Sequence, residues 1–380
     1  MVGSRHVLIV SESLRLGGAE KVAIFIARTF VEAAWRTTLL TLHNFDDFYA
    51  APQGVKRIRL QLEGNSSNKL NGLVTNLGRA KIIRGVLKSE SPDLIISLLI
   101  SANCLTILAA RGLGIPIIIS DHNAPSRDPN EPPQWHLVVR FLYPLASRLV
   151  CVSNGIADER SWVSSRKVVV IPNAVQVADA DDPESPIVLQ EGWKHIFTFG
   201  RLVSQKGFDV LLKSFRMLTS YFPDWDLTIV GDGPERASLE AQARELAISH
   251  LVHLPGASRH PGALLRAAAE AGGVFAFPSR YEGFGQTLVE AMACGLPVVA
   301  ADCPHGPREI LEGGKHGILV PPENPEALAE ALARLMADPA LRADYAARAR
   351  ARAADFAPEK IAPRWLALAE EVLAERRHSA

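Results

Sequence analysis

The sequence predicts an α/β protein with two doubly wound domains, each built on a parallel sheet. Short apolar runs alternate with helical patterns along most of the 380 residues, which is typical of parallel strands joined by helices. The alternation stops at residues 173–193, an acidic, proline-containing stretch that we interpret as a linker. A chain of this length can form two ordinary cores, and its 48% hydrophobic content excludes a disordered chain.

The first domain is predicted over residues 1–172 and the second over residues 194–358. Apolar runs predict strands of the first domain at His6–Ser11, Thr37–Leu42, Arg57–Leu60, Asp93–Leu99, Pro116–Ser120, Leu149–Ser153 and Val168–Ile171. Strands of the second domain are predicted near 195–200, 226–230, 252–254, 273–277, 297–301 and 317–320. After Asn324 the pattern is helical, with interruptions at Asp338-Pro339 and Ala357-Pro358 and a final helix at Pro363–Arg377.

The formal net charge is zero, but the two halves differ. Residues 1–172 hold 20 Lys+Arg against 13 Asp+Glu, a net charge of +7, which leaves −7 for the remainder. This asymmetry predicts an anionic partner for the first half. Its basic residues include Lys81, Arg84 and Lys88 in the helical pattern Asn68–Lys88, whose apolar side is Leu70, Leu73, Leu77, Ile83 and Leu87. A solvated helix face and peripheral contact with an anionic membrane both remain open for this helix.

Cysteine usage and the N-terminus indicate a cytoplasmic protein. The four cysteines have no CxxC spacing and are expected to be buried, reduced thiols: Cys104, Cys151, Cys294 and Cys303. The N-terminus passes straight into a strand without the apolar region of a signal peptide. The longest uncharged stretch, Leu94–Ala110, is shorter than the roughly 20 apolar residues of a spanning helix.

Two strand-to-helix turns in the second domain carry the strongest functional signal. The first reads FGRLVSQKGFD and places Arg201 and Lys206 just beyond an apolar strand; the second reads FPSRYEGFGQTLVE and contains Glu282 and Glu290. Cations at such a turn face anions, and the helix that begins near Gly285 offers backbone N–H groups to a phosphate. The ligand that these turns predict is a nucleotide diphosphate sugar. Because its diphosphate repels carboxylates, we expect Glu290 to bind the ribose hydroxyls and Glu282 a hydroxyl of the sugar. The expected site also includes Gly283, Phe284, Gly285, Gln286 and Thr287.

Other strand ends add weaker candidates. Gly17 and Gly18 follow the first strand, where a glycine lets backbone N–H groups approach a phosphate or a sugar, although a plain tight turn explains them equally well. Gly231 follows the strand DLTIV and could flank the nucleotide. Its neighbour Asp232 is better interpreted as the cap of a helix that starts at Pro234. His122 follows the strand Pro116–Ser120, and this position favours a functional role. A lone histidine is more often structural than catalytic, however, and its neighbours Asp121 and Asn123 could simply fix a turn.

The charges predict chemistry without a metal or another cofactor. Cleaving a sugar–phosphate bond builds negative charge on the diphosphate, which Arg201, Lys206 and the helix start at Gly285 can stabilise. Two Asp-x-Asp segments could suggest a metal site. We reject Asp179-Ala180-Asp181 because it lies in the linker, and Asp224-Trp225-Asp226 because it precedes a strand, on the wrong side of the sheet.

The Arg-x4-Lys pair followed by Glu-x7-Glu resembles the GT4-type retaining glycosyltransferases. The resemblance covers almost the whole chain and includes SLRLGGAEK, IIISDHNAP, TIVGDGPE and GILVPP in the family's order. It implies the GT-B fold: two Rossmann-like domains that face each other across a cleft, with the C-terminal helix, residues 360–380, crossing back to the N-terminal, acceptor-binding domain. It also implies that the second domain binds the nucleotide sugar.

The resemblance also assigns roles to residues. His122, Glu282, Arg201 and Lys206 are the expected catalytic residues, with His122 hydrogen-bonding the donor sugar. The resemblance implies retention of the anomeric configuration, with the acceptor hydroxyl attacking from the leaving-group side; a double displacement would need a nucleophile that the sequence does not identify.

The segment DCPHGPREIL resembles family members that use UDP-galactose, UDP-N-acetylgalactosamine or UDP-glucose, although a helix start at Gly306-Pro307 explains it structurally. The expected acceptor is a glycan or a polyprenyl-diphosphate-linked glycan, used on the cytoplasmic side of the inner membrane. The alternatives are a GDP-mannose-dependent mannosyltransferase and a nucleotide-sugar-binding protein without activity. A nucleic-acid partner is not expected, because aromatic and basic residues do not interleave.

Overall fold

The computed structural model describes residues 5–15, 17–62, 69–122, 133–175, 192–258 and 261–379. The chain divides into two compact units, Met1–Ala174 with Glu359–Ala380, and Val175–Pro358. Most of the predicted linker, residues 176–191, lies outside the described residues.

The first unit contains a parallel sheet whose described strands run in the order β3-β2-β1-β4-β5-β6-β7. The strands are β1 (His6–Ser11), β2 (Arg36–Thr41), β3 (Lys56–Arg59), β4 (Leu94–Leu98), β5 (Ile117–Asp121), β6 (Arg148–Cys151) and β7 (Val168–Val170). The helices are α1 (Gly18–Glu32), α2 (Lys69–Glu90), α3 (Ile100–Ala110), α4 (Pro133–Leu142) and α5 (Asn154–Glu159), with a 3-10 turn at Tyr143–Leu145.

The second unit contains another parallel sheet, with its described strands in the order β10-β9-β8-β11-β12-β13. The strands are β8 (Lys194–Phe199), β9 (Trp225–Val230), β10 (Val252–Gly256), β11 (Val274–Phe277), β12 (Val298–Ala301) and β13 (Ile318–Val320). The helices are α6 (Phe208–Leu218), α7 (Arg236–Glu245), α8 (Pro261–Glu270), α9 (Gln286–Ala293), α10 (Pro307–Ile310), α11 (Pro325–Ala337) and α12 (Pro339–Ala353).

The predicted strands and the parallel pairing are confirmed in both sheets, and each strand ends within two residues of its prediction. The reason is burial. Helices cover both faces of a parallel sheet, so its strands are continuous apolar runs rather than alternating ones. In β1, Val7, Leu8, Ile9 and Val10 are all fully buried.

The last helix, α13 (Pro358–Ser379), belongs to the first unit, so its predicted return to the N-terminal domain is confirmed. Trp365, Leu368 and Val372 share a buried cluster with residues of β1 and α1. The helix begins earlier than the predicted Pro363, which lies inside it. Pro358 occupies the first helical position, where a missing N–H is tolerated, so it is a start rather than a break.

The basic helix α2 differs from its prediction in two ways. Ile83 and Leu87 are buried as expected, but Leu77 is 56% exposed and does not belong to the apolar side. Arg84 donates to the carbonyls of Ala109 and Arg111 at 2.8 and 2.7 Å, so it holds the end of α3 instead of facing solvent freely. Asn68 lies outside the described residues, as do the side chains of Leu70 and Leu73.

All four cysteines are free and buried, as predicted. Within the described ranges, no helix has the length and apolarity needed to cross a bilayer.

The strand order locates one switch point in each sheet. A switch point is the place where the order of successive strands reverses its direction across the sheet. It lies between β1 and β4 in the first unit and between β8 and β11 in the second. Doubly wound sheets bind ligands beyond the carboxyl ends of the two strands at such a point. The two turns that carry the predicted donor site follow β8 and β11.

Candidate active site

An ion pair joins the two turns of the second unit. Lys206, at the end of the turn after β8, donates from Nζ to Glu282 Oε1 at 2.6 Å. Ser279 Oγ donates to the same oxygen at 2.7 Å, and the Glu282 side chain is only 9% exposed. The tertiary fold thus brings two predicted site residues together and fixes the carboxylate with two donors.

A second set of contacts fixes the backbone of both turns. The Arg280 guanidinium donates to both oxygens of Asp209 at 2.8 Å and to the Ser204 carbonyl at 2.6 Å. The Arg280 N–H donates to the Gln205 carbonyl, and the Gln205 side chain donates to the Tyr281 carbonyl. These contacts therefore bond the two turns to each other directly.

Sequence reasoning missed the Arg280–Asp209 pair. Its hydrogen bonds to Asp209 raise the pKa of Arg280 above its ordinary value. Partial burial opposes ionisation of Asp209, but the hydrogen bonds and charge of Arg280 outweigh it and lower the pKa of that carboxyl. The sequence did contain a signal for this pair: Asp209 and Arg280 have opposite charges, and they lie in the two turns that were predicted to bind the same ligand.

Two glycines are required where backbone segments meet. Gly207 has φ of 64°, and a Cβ there would lie 2.1 Å from the Pro278 carbonyl oxygen, in the other turn. Gly231 lies between the ends of β8 and β9, where a Cβ would lie 1.9 Å from the Gly200 oxygen. A side chain at either position would separate the strand ends that form the site.

Helix α9 begins directly after the second of these strand-to-helix turns, and Gly283 and Gly285 precede its first residue, Gln286. Gln286 Oε1 and Thr287 Oγ1 are buried and have no hydrogen-bond partner among the described residues. Glu290 lies one turn further along the helix and is 4% exposed. A helix N-terminus beside buried polar atoms is an environment that favours an anionic or hydroxyl-rich ligand.

The remaining predicted residues of this unit lie in different settings. Arg201 follows β8 and is exposed, with no ion-pair partner in the part of the chain that the structure describes. The Phe284 ring is buried edge-on against Phe356 at 5.4 Å, so its side chain has a packing role.

The predicted cap at Asp232 is wrong. Helix α7 begins at Arg236, and the Asp232 carboxylate instead accepts from the adjacent Gly233 N–H at 2.7 Å. Pro234 and Glu235 form a turn before the helix, which moves its first N–H groups out of reach of Asp232.

The segment Asp224-Trp225-Asp226 lies at the amino end of β9, opposite the two turns. Asp226 is buried and accepts from His195 at 2.6 Å and from His253 at 3.3 Å, so it fixes the start of the sheet. Asp179 and Asp181 lie outside the described residues. Among the residues that are described, no group of three or more His, Cys, Asp or Glu side chains is arranged to hold a metal ion.

In the first unit, Gly17 precedes α1 and Gly18 is its first residue, at the end of the loop that follows β1. Asp121 ends β5 and is held by Arg160 Nε at 2.7 Å and by the Tyr143 hydroxyl at 2.6 Å. It therefore has a structural role, as the sequence had suggested. Asn123 lies outside the described residues.

His122, the next residue after Asp121, has a different environment. It is 8% exposed, and neither ring nitrogen has a hydrogen-bond partner among the described residues. Burial lowers its pKa to about 4, although the Asp121 charge acts in the opposite direction. The imidazole is therefore neutral at pH 7 and can offer one donor and one acceptor to a ligand.

Two family models match the chain: Glycosyltransferase Family 4 over residues 16–179 and Glycosyl transferases group 1 over residues 182–352. Together they extend across both units, and the chain belongs to the GT4 family of glycosyltransferases, which have the GT-B fold.

Similar proteins include bacterial glycosyltransferases of almost the same length. An uncharacterized glycosyltransferase of Haemophilus influenzae is 26% identical over 92% of this chain and 95% of its own. A Campylobacter jejuni enzyme named GalNAc-alpha-(1->4)-GalNAc-alpha-(1->3)-diNAcBac-PP-undecaprenol alpha-1,4-N-acetyl-D-galactosaminyltransferase is 25% identical over 95% and 97%. Four other curated relatives are 29–34% identical, but the chain spans only 22–62% of their lengths.

Solved structures agree in fold. Sucrose-phosphate synthase from Thermosynechococcus elongatus has a TM-score of 0.84 at 21% identity and covers 98% of this chain and 100% of its own. The Anabaena protein HepE in complex with UDP-glucose has a TM-score of 0.77 at 20% identity, with 96% and 99% covered. Both confirm the GT-B architecture.

We expect His122 to make the folded protein less stable in mild acid. The ordinary pKa of a histidine is 6.5, whereas the pKa of His122 in the folded chain is about 4. Between these two values His122 is protonated in the unfolded chain but not in the folded one. Stability is lost as the pH falls through this window, by about 2–3 kcal/mol between pH 7 and pH 4.5. His122→Gln removes this contribution to the pH dependence of the unfolding free energy. Urea unfolding followed by circular dichroism at both pH values measures the difference, and an equal pH dependence in both proteins would contradict it.

We expect the Arg280–Asp209 pair to behave as a coupled unit. Arg280→Ala should lower the unfolding free energy of the second unit by about 2 kcal/mol, because it leaves the partly buried Asp209 carboxylate without its partner. Asp209→Ala should lower it by about 1 kcal/mol, because Arg280 keeps its pair with Glu323. The double variant should lose less than the sum, with a coupling energy above about 1 kcal/mol. The exposed pair Arg348–Asp344 is the control, with expected coupling below about 0.5 kcal/mol. Equal coupling energies in the two cycles would refute the role.

Proposed function

We propose that this glycosyltransferase is a retaining, metal-independent enzyme that moves a hexose or N-acetylhexosamine from a UDP-sugar to a glycan or lipid-linked glycan. The observation that carries the proposal is the 2.6 Å Lys206–Glu282 pair beside the first turn of α9, at the switch point of the second sheet. It places positive charge, backbone donors and carboxylates within one strand-end site.

The charges divide the site between parts of the donor. Arg201, Lys206 and the N-terminus of α9 are assigned to the diphosphate, and Glu290 to the ribose. Glu282 is assigned to a sugar hydroxyl. Its contact with Lys206 also fixes the ammonium group in position, so the cation is preorganised for the charge that develops as the sugar–oxygen bond breaks.

In the first unit, Gly17, Gly18 and His122 are assigned to the sugar side of the reaction. A buried neutral imidazole without a partner in the described structure is suited to hydrogen-bonding a sugar hydroxyl. The acceptor oxygen then bonds to the anomeric carbon on the face from which the diphosphate departs, and the hydroxyl proton passes to the departing diphosphate, so the sugar retains its configuration.

The choice of UDP and of a lipid-linked acceptor is supported by the comparisons. HepE has been solved with UDP-glucose, and the Campylobacter jejuni relative is named for transfer to an undecaprenol-diphosphate glycan. The segment DCPHGPREIL does not strengthen this choice, because Arg308 pairs with Asp302 and Gly306 leads into α10, which explains its residues structurally. A cytoplasmic location at the inner membrane follows from the same proposed acceptor.

A donor panel tests the proposal. The purified protein is incubated with UDP-glucose, UDP-galactose, UDP-N-acetylgalactosamine, GDP-mannose and ADP-glucose, with and without EDTA, and nucleotide diphosphate release is measured. We expect release from a UDP-sugar at a rate that EDTA does not change. Release only from GDP-mannose would favour the mannosyltransferase. Binding without release would favour a protein without activity, and activity that requires added Mg²⁺ or Mn²⁺ would contradict metal independence.

Arg201→Ala and Lys206→Ala each should slow turnover about a hundredfold, because each removes a preorganised cation, worth about 3 kcal/mol in the transition state. Lys213→Ala is the control, since this lysine is exposed on α6 in the same unit and is expected to leave the rate unchanged. Steady-state kinetics with the active donor measures the effect. Wild-type turnover in both site variants would refute their assignment.

Substitutions of the two glutamates should have different effects on UDP affinity and on the rate of sugar transfer. Glu290→Gln should weaken UDP binding about tenfold or more, because it loses a charged acceptor for the ribose. Glu282→Gln should leave UDP affinity nearly unchanged and lower the rate of sugar transfer. Isothermal titration calorimetry with UDP, together with kcat, measures both. The reverse pattern would mean that the two roles are exchanged.

A further inference from the structure

Helix α4 and the 3-10 turn after it carry an exposed apolar stripe. Leu137, Phe141 and Leu145 are 65%, 76% and 57% exposed, and they follow one another at intervals of four residues. On the same segment Val139 and Tyr143 are buried. The segment is thus amphipathic, with a second apolar side that no described part of the chain covers. We call Leu137, Phe141 and Leu145 the α4 face.

The surroundings of the α4 face are basic. Arg140 is exposed on α4 itself, and Lys167 donates to the carbonyls of Pro144 and Ala146, on either side of Leu145. Of the acidic side chains described between 94 and 159, Asp121 is buried against Arg160, and Asp158 and Glu159 lie on α5. Arg148 adds no free charge, because Glu371 and Glu375 pair with it.

Exposed aromatic and aliphatic side chains beside cations are the features of a surface that binds an anionic bilayer. We propose that the α4 face docks this protein on a bilayer that contains anionic phospholipids, with Phe141 and Leu137 entering the acyl boundary and Arg140 contacting the headgroups. Apolar burial and attraction to anionic lipids act together at such an interface. Exposed apolar side chains that form one stripe are also more typical of an interaction site than scattered ones are.

Self-association fits the surface less well. A twofold interface joins a patch to the same patch on the second copy, which would bring Arg140 towards its own counterpart. The like charges would oppose that contact, whereas an anionic bilayer satisfies them. This docking surface differs from the predicted basic helix, where Arg84 is already bonded to the end of α3.

The proposal extends the lipid-linked acceptor of the proposed function, so it is tested by binding alone, without donor or turnover. The full chain is sedimented with vesicles of pure phosphatidylcholine and with vesicles containing phosphatidylglycerol. We expect binding to the anionic vesicles that weakens as salt rises. Leu137→Ser with Phe141→Ser should lower the partition coefficient about a hundredfold in these vesicles. Arg140→Glu should lower it about tenfold, and less in high salt.

Two controls make the outcome specific. Tyr221→Ser removes a side chain that is 79% exposed in the second unit, and it should bind as the wild type does. Lys81→Glu with Lys88→Glu, on α2, should reduce binding less than the α4 double variant. Unchanged folding of each variant is checked by circular dichroism. The proposal is overturned if the wild type ignores anionic vesicles, if the α4 double variant binds them normally, or if size-exclusion chromatography with light scattering shows that the face holds a dimer together.

Discussion

The candidate donor site depends on the contact between two turns that follow neighbouring strands. Because β8 and β11 lie side by side at the switch point, their turns meet, and the Lys206–Glu282 and Arg280–Asp209 pairs hold them together. A carboxylate beside a phosphate site would ordinarily repel the ligand. In the proposed site, Glu282 instead holds the Lys206 ammonium in position before the diphosphate binds.

The ion pairs in the described structure serve different purposes according to their place in the sheet. Asp226 at the amino end of β9 accepts from His195 and His253, and Asp121 at the end of β5 accepts from Arg160 and Tyr143. Each oxygen of both carboxylates thus has a donor inside the fold. His122, the residue after Asp121, is buried without a partner among the described residues, which is costly unless a ligand completes it.

Membership of the GT4 family establishes glycosyl transfer, and the geometry of the second unit gives that activity a physical basis. The charged residues do not select the sugar, because the proposed ligand of Arg201, Lys206 and the α9 N-terminus is the diphosphate that all candidate donors share. The α4 face concerns a different question, which is how an enzyme without a described spanning helix would reach an acceptor held in a bilayer.

The sequence by itself determined the two sheets, their strands within two residues, the buried cysteines and the position of the two turns that follow β8 and β11. These features follow from local patterns: a strand covered on both faces is a continuous apolar run, and a ligand at a parallel sheet lies at its strand ends. The family resemblance also correctly placed the last helix on the first domain.

Only the tertiary structure decided which charged side chains pair and which apolar ones stay exposed. Arg280 and Asp209 are separated by 71 residues, and no periodic pattern links them. Leu77 and Phe141 look like core residues in a helical pattern, yet both are exposed. Burial of a helix face depends on what packs against it, and pairing depends on strand order, so neither can be read from local sequence alone.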